Sequence, residues 1–369
     1  MEPFKNHFSY LNARRIAESV KRAHPEFSLP RFTKGLEAAL EPLELKQRMR
    51  LIADRIEVGL PAHPPELFAI LVKTLEKSAD RDNGLWSFSV WPFTEIVARR
   101  GQEHFQESMV ALAEMTQRFT AEFAIRPFLQ TQRERTLSQL HAWCSHPDEH
   151  VRRLVSEGSR PLLPWGGNLP DLLVAPYPTL GLLEKLYNDS SAYVRLSVSN
   201  HLNDFSKHHP ELVIETLACW RSANPNDAHL EKLARHACRT LLKAGHAGAL
   251  AHQGYGSAAG LVLETFSLAK NSVRIGEDMG YHIVMHNTGR RAVKVMFDYA
   301  IHFRKANGTL SPKVFKGRIK ELTAGERWEI TGRHSFRLVT TRVYHPGIQL
   351  IEPRLNGRSF LPLEFRLMA

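Results

Sequence analysis

Cysteine is scarce in this 369-residue sequence, which holds only Cys144, Cys219 and Cys238. Their number is odd, and their spacing matches neither a CxxC redox pair nor a zinc finger. A disulfide scaffold is thereby excluded, and reduced, mostly buried thiols of a cytoplasmic chain are expected. Long hydrophobic runs are also missing. The opening "MEPFKNHFSYLN" has no apolar signal region, and no stretch of about 18 apolar residues follows it. Neither membrane association nor export is expected. The one metal-like string, "HPDEH" from His146 to His150, lacks the HExxH order and sits in a Pro-Asp turn. No metal and no cofactor are expected.

What the sequence does have is positive charge, unevenly spread. The net charge is +11, and from Gly260 onward 18 lysines and arginines face 9 acidic residues. A basic module is thus attached to a nearly neutral body. That pattern points to a polyanion, and to nucleic acid ahead of a membrane surface, because no basic amphipathic helix is evident.

Helical patterning runs to about Tyr255. "ELKQRMRLIADRIEVGL" and "PPELFAILVKTLEKSA" read as amphipathic helices, the first ended by Gly59 and the second begun by Pro64 and Pro65. The aromatics of "GLWSFSVWPFTEIVARRG" are expected in the core. Three later segments stack on one another, starting at Asp148, Ser191 and Asp227. Val151, Val194 and Leu230 then align at spacings of 43 and 36. Helical units of about 40 residues are a HEAT-like signature, in which stacked pairs form a solenoid. In that alignment Glu157, Asn200 and His236 share one position, and Arg160, Asn203 and Arg239 another. After "HQGYGSAAG" the style changes to short β-rich runs between Gly, Asn and Pro turns. About seven or more strands in roughly 110 residues predict an immunoglobulin-like sandwich, here without an inter-sheet disulfide. The fold class expected is mainly α: a HEAT-like solenoid over residues 1–258, then an all-β sandwich over 259–369.

One stretch stands out, "VRRLVSEGSRPLLPW" from Val151 to Trp165. Val151, Leu154, Val155 and Gly158 form one apolar or small face of a helix. Arg153, Glu157 and Arg160 form another, and Pro161 interrupts. An exposed ion-pair ladder is the plain reading of such a face, but it does not account for the Pro-Trp ending. The "TAEFAIRPFL" segment from Thr120 carries a similar Arg-Pro. Together with "LELKQRMRLIADRI" and "YVRLSVSNHLND", these segments resemble the AlkC family of bacterial DNA glycosylases, relatives of AlkD.

The resemblance implies excision of small alkylated bases such as N3-methyladenine and N3-methylcytosine, without extrusion into a deep pocket. It implies double-stranded DNA as partner; a bacterial cytoplasm and a monomer are also expected. It also implies acidic and aromatic side chains facing the damaged nucleotide. The matching positions are Glu157 and Trp165, with Glu122 on the preceding repeat. The chemistry agrees. A base with a formal positive charge leaves as a neutral molecule, and the developing oxocarbenium ion on the sugar needs a fixed carboxylate. An indole face adds cation–π attraction of order 0.5–2 kcal/mol. Arg153 and Arg160 are expected to hold flanking phosphates. Arg152, Phe123, Arg195, Asn200, His201 and Arg239 complete the expected DNA-contacting set, with packing an equal alternative for His201. The competing reading is a noncatalytic HEAT scaffold that recruits nucleic acid or protein. A helix-hairpin-helix glycosylase is disfavoured, because no Gly-rich hairpin precedes a catalytic Asp.

Overall fold

The computed structural model describes residues 3–75, 85–256, 258–340 and 342–369. Among them, seventeen α-helices precede nine strands. The chain divides into two compact units, Met1–His208 and His209–Ala369.

In the first unit, local sequence explains where helices start. Ser9 accepts from the Asn12 amide ahead of helix Tyr10–Ala23, and Glu44 with Gln47 forms a capping box ahead of Leu45–Glu57. The latter buries Met49, Ile52, Ala53 and Ile56, a single helical stripe. Gly59 follows it, but not as a left-handed cap. A Cβ there would lie 2.5 Å from the Phe27 ring, so close packing requires the glycine. Pro64 opens helix Pro64–Thr74. The last four residues of that predicted helix, and Gly84 of the aromatic segment, lie outside the described residues. Trp91 and Phe93 are buried as expected, whereas Trp86 and Phe88 are only half-buried.

The first residues of the three aligned segments are all N-caps. Asp148, Ser191 and Asp227 accept backbone hydrogen bonds at the starts of Glu149–Gly158, Ala192–Phe205 and Ala228–Ala237. The aligned Val151, Val194 and Leu230 are buried. In "HPDEH", His146 accepts from the Asp148 amide, so that string builds a helix start. Pro161 follows its helix, whereas Pro127 lies in the first turn of helix Arg126–Thr131, a position that suits proline. Helix Glu149–Gly158 packs on Tyr177–Leu186 and Ala192–Phe205.

The second unit holds four helices, Pro210–Ala223, Ala228–Ala237, Arg239–Ala244 and Ala247–His252, and then the strands. These are β1 Leu261–Leu268, β2 Ser272–Arg274, β3 Asp278–Asn287, β4 Val293–Arg304, β5 Leu310–Leu322, β6 Arg327–Ser335, β7 Gly347–Leu355, β8 Arg358–Ser359 and β9 Leu363–Met368. One sheet has the order β1-β3-β6 and the other β2-β9-β7-β4-β5, with β8 paired to β7. Strand β3 shows the expected period of two, burying Met279, Tyr281, Ile283 and Met285. Those side chains meet Phe297, Ile301, Phe336, Ile351 and Phe365 in one core. Apolar packing does the work of the missing disulfide. Asn356 and Gly357, both at positive φ, make the two-residue turn between β7 and β8, as an Asn-Gly pair favours.

Candidate active site

Helix Glu149–Gly158 carries Arg153 and Glu157 one turn apart. Gly158 then allows a second segment to approach. A Cβ at Gly158 would fall 2.5 Å from the Ile125 methyl and 3.8 Å from the Glu122 Cα. The missing side chain thus lets the turn containing Glu122 lie against the helix end. Glu122 sits in a turn, not on a helix.

Arg153 joins the two carboxylates. Its Nη1 donates to Glu122 Oε2 at 2.5 Å and to Thr120 Oγ1 at 2.8 Å. Its Nη2 lies 3.6 Å from Glu157 Oε1. Glu157 is held on both oxygens: Oε1 accepts from Arg160 Nη1 at 2.6 Å, and Oε2 from Ser197 Oγ at 2.6 Å. Arg160 in turn makes a bidentate pair with Asp204, at 3.0 Å on each oxygen. Arg126 lies behind them and donates to the Gly158, Arg160 and Gly167 carbonyls, tying down the loop after the helix.

Glu122, Arg126, Glu157, Arg160 and Asp204 are each 9% exposed or less. Burial, then the Arg160 charge, lowers the Arg126 pKa to about 10. Burial raises the Asp204 pKa, and Arg160 pulls it back only in part. For Arg160, burial works against the charge, but the Asp204 and Glu157 partners outweigh it.

Several expectations need correction. Arg160 is not a phosphate clamp, because it is 6% exposed and its guanidinium is committed to Asp204 and Glu157. His201 takes the packing alternative. It is 0% exposed, its Nδ1–H donates to the Ser156 carbonyl, and burial followed by the Arg160 charge lowers its pKa to about 3. It is therefore neutral near pH 7 and is no proton donor. Trp165 is exposed, but its ring meets Phe4 edge-on at 6.1 Å. Its φ is +64°, and Lys46 bonds to its carbonyl. It lines a cleft of about 300 Å³ with Lys46, Trp91, Phe123 and Arg126. Phe123 stacks on Trp91 at 5.3 Å.

The other predicted contacts do not join the carboxylates. Arg152 makes a bidentate pair with Asp189, and Arg195 donates to the Asp189 and Ser190 carbonyls. Asn200 is half-buried. Arg239 lies in the second unit and donates to the His236 carbonyl.

Sequence reasoning missed Thr120, Arg126, Tyr193, Ser197 and Asp204. Tyr193 is 40% exposed, with its ring centroid 5.1 Å from the Arg153 Cζ. Tyr193, Ser197 and Asp204 all lie within "YVRLSVSNHLND". The available signal was a carboxylate on a largely buried helix, and the Arg-Pro shared by Arg126 and Arg160. Among the described residues, no three His, Cys, Asp or Glu side chains are grouped as metal ligands, and no helix is long and apolar enough to cross a membrane.

This arrangement can be set beside known proteins. The whole chain superposes on the whole of the Pseudomonas fluorescens alkylpurine DNA glycosylase AlkC, bound to DNA containing an abasic site analog, with a TM-score of 0.92 and 34% identity. The chain belongs to the AlkC family. Within that family, this AlkC-type chain is also 38% identical to the uncharacterised Bacillus subtilis (strain 168) protein YhaZ, over 95% of the chain and 96% of YhaZ. Residues 262–369 match the family model of the YhaZ C-terminal Ig-like domain. The helical part followed by an Ig-like sandwich is therefore the AlkC fold.

Proposed function

We propose that this AlkC-family chain hydrolyses the N-glycosidic bond of cationic alkylated bases, such as N3-methyladenine and N3-methylcytosine, in double-stranded DNA. The observation that carries the reading is the pair of nearly buried carboxylates, Glu122 and Glu157, linked by Arg153 beside the half-exposed Tyr193. Such carboxylates are suited to stabilising an oxocarbenium ion at C1′ and orienting water. Arg160, Ser197 and Asp204 hold Glu157 for that task. The base already carries its positive charge and leaves neutral, so no proton donor is required. His201 supplies none, and the pKa of His236 is lowered by burial.

In this reading, residues 1–258 form the HEAT-like catalytic part. The basic sandwich, residues 259–369, grips phosphates, with affinity that falls as salt rises. Duplexes carrying one lesion each test the proposal through abasic-site formation. N3-methyladenine and N3-methylcytosine should be released, and uracil, hypoxanthine and ethenoadenine should not. No release of any base would favour a noncatalytic DNA-binding scaffold. Release of neutral bases would mean that a general acid operates.

A further inference from the structure

The two arginines beside Glu157 are held very differently. Arg160 is gripped through Nε, Nη1 and Nη2 by two carboxylates. Arg153 is gripped mainly through Nη1, by Glu122 and Thr120. Its Nη2 stands 3.6 Å from Glu157, beyond a good hydrogen bond. Its Nε is buried without a hydrogen-bond partner. It also lies beside the more open part of the cluster, because the Tyr193 ring at 5.1 Å is 40% exposed.

Charge counting sharpens the contrast. Glu122, Glu157 and Asp204 are balanced by Arg126, Arg153 and Arg160. If Arg153 leaves, the cluster is one positive charge short. What then remains around its guanidinium position is the Glu122 carboxylate, the Thr120 hydroxyl, the Glu157 oxygen that Arg160 also holds, and an aromatic ring, a setting that favours a flat, delocalised cation. A cationic lesion nucleotide carries one such charge, first on the base and then on the sugar.

We propose that Glu122, Glu157 and the ring of Tyr193 form a seat for a planar monocation, which the guanidinium of Arg153 fills in this structure and yields to the cationic lesion nucleotide. Displaced from the seat, Arg153 pairs with a DNA phosphate. The exchange keeps the buried cluster neutral throughout, so neither state leaves an uncompensated buried charge. Arg153 is then a placeholder and Tyr193 a specificity-determining residue. A neutral base cannot replace the guanidinium without leaving the two carboxylates undercompensated. This inference rests on the glycosylase reading for its substrate, but the seat can be tested without DNA.

Guanidinium itself is the probe, at about 10 mM, far below the molar range in which it unfolds domains. Sodium chloride at equal concentration is the control. Full-length Arg153→Ala and Arg153→Gln are both used, each first checked for folding by circular dichroism. Guanidinium should raise the melting temperature of these variants above the sodium chloride value and leave the wild type unchanged. Adding Tyr193→Ala should abolish that gain. In single-turnover excision of N3-methyladenine, guanidinium should slow the Arg153 variants about threefold or more beyond the salt control.

Acceleration of either variant toward the wild-type rate would overturn the proposal, because Arg153 would then act in place. Equal melting shifts in the variants and the wild type would also overturn it. If neither Arg153 variant folds, Tyr193→Ala alone decides. With the ring gone, single-turnover release of N3-methyladenine should slow about threefold or more, and an unchanged rate would refute the idea. A wild-type protein that releases no base would defeat the glycosylase reading, while the melting shift would still report the seat.

Discussion

Replacing Glu157 by glutamine removes one charge and almost nothing else. Glu157 Oε1 accepts from Arg160 and Oε2 from Ser197, each at 2.6 Å. A glutamine can keep its carbonyl on Arg160 and donate its amide to the Ser197 oxygen, which accepts as readily as it donates. The side chain therefore stays in place, and the six-charge cluster moves from neutral to +1. A carboxylate about 4–6 Å from a developing cation, at an effective dielectric of about 20, contributes roughly 3–4 kcal/mol. Screening and relaxation reduce this to about 2.7 kcal/mol, or 10²-fold in rate. The uncompensated arginine charge should also cost about 1–3 kcal/mol of folding stability. The assay is single-turnover release of N3-methyladenine with protein in excess, beside a thermal melt of each variant. DNA affinity should hold or rise, since a negative charge is lost. Glu122→Gln is measured in parallel, because Glu122 and Glu157 share Arg153. Wild-type rates in both variants would refute the carboxylate mechanism.

Three further outcomes are expected. Gly158→Ala should push the Glu122 turn off the helix end, since its Cβ would meet Ile125 at 2.5 Å. We expect a loss of about 1–3 kcal/mol in denaturant unfolding and slower excision at unchanged DNA affinity. His201, held at about 3, binds no proton in the folded state where the unfolded chain does. Its stabilisation is thus complete above about pH 6.5 and is lost as pH falls toward 3. His201→Gln should flatten the stability–pH profile in that window by up to about 1.4 kcal/mol per pH unit, and an unchanged profile would contradict the assignment. If the sandwich grips phosphates as proposed, the exposed Lys313, Lys316 and Arg318 of edge strand β5 are the groups to change first. Changing all three to Glu should weaken DNA binding and lower the slope of log affinity against log salt by up to about 3, one for each phosphate left unneutralised.

The readable parts of this molecule are those set by neighbours in sequence. Asp148, Ser191 and Asp227 cap helices that begin beside them. The alternation in β3 and the stripe of Leu45–Glu57 are likewise local periodicities. Glu157 as the centre of a charged site was also legible, through Arg153, Arg160 and the Pro-Trp ending. The arrangement around it was not. Glu122 meets Arg153 because Gly158 has no side chain, a fact about two residues, Gly158 and Glu122, 36 apart in the sequence. Arg160 reads equally well as a phosphate clamp or a buried partner until Asp204, 44 residues on, is in position. Trp165 meets Phe4 with its backbone at a positive φ, and nothing in the neighbouring residues announces either. The half-burial of Trp86 and Phe88 is a similar tertiary effect, since an aromatic run tells of apolar surface and not of what covers it.

The network around Glu157 is costly to assemble, and its asymmetry suggests why it is retained. Buried ion pairs are weak grounds for stability, because apolar residues of similar volume often serve as well. Here the hydrogen bonds are concentrated on one side. Asp204 fixes Arg160, Arg160 and Ser197 fix Glu157, and Arg126 fixes the loop that follows. The negative charge is consequently held in one orientation, which is what stabilising a short-lived cation requires. On the other side the grip is slack. Arg153 is held chiefly at one nitrogen, next to the exposed part of Tyr193. A rigid anion facing an exchangeable cation selects by charge before it selects by shape. On that reading, discrimination against neutral damaged bases needs no enclosing pocket. It follows from a balance of charges that only a cationic nucleotide can restore.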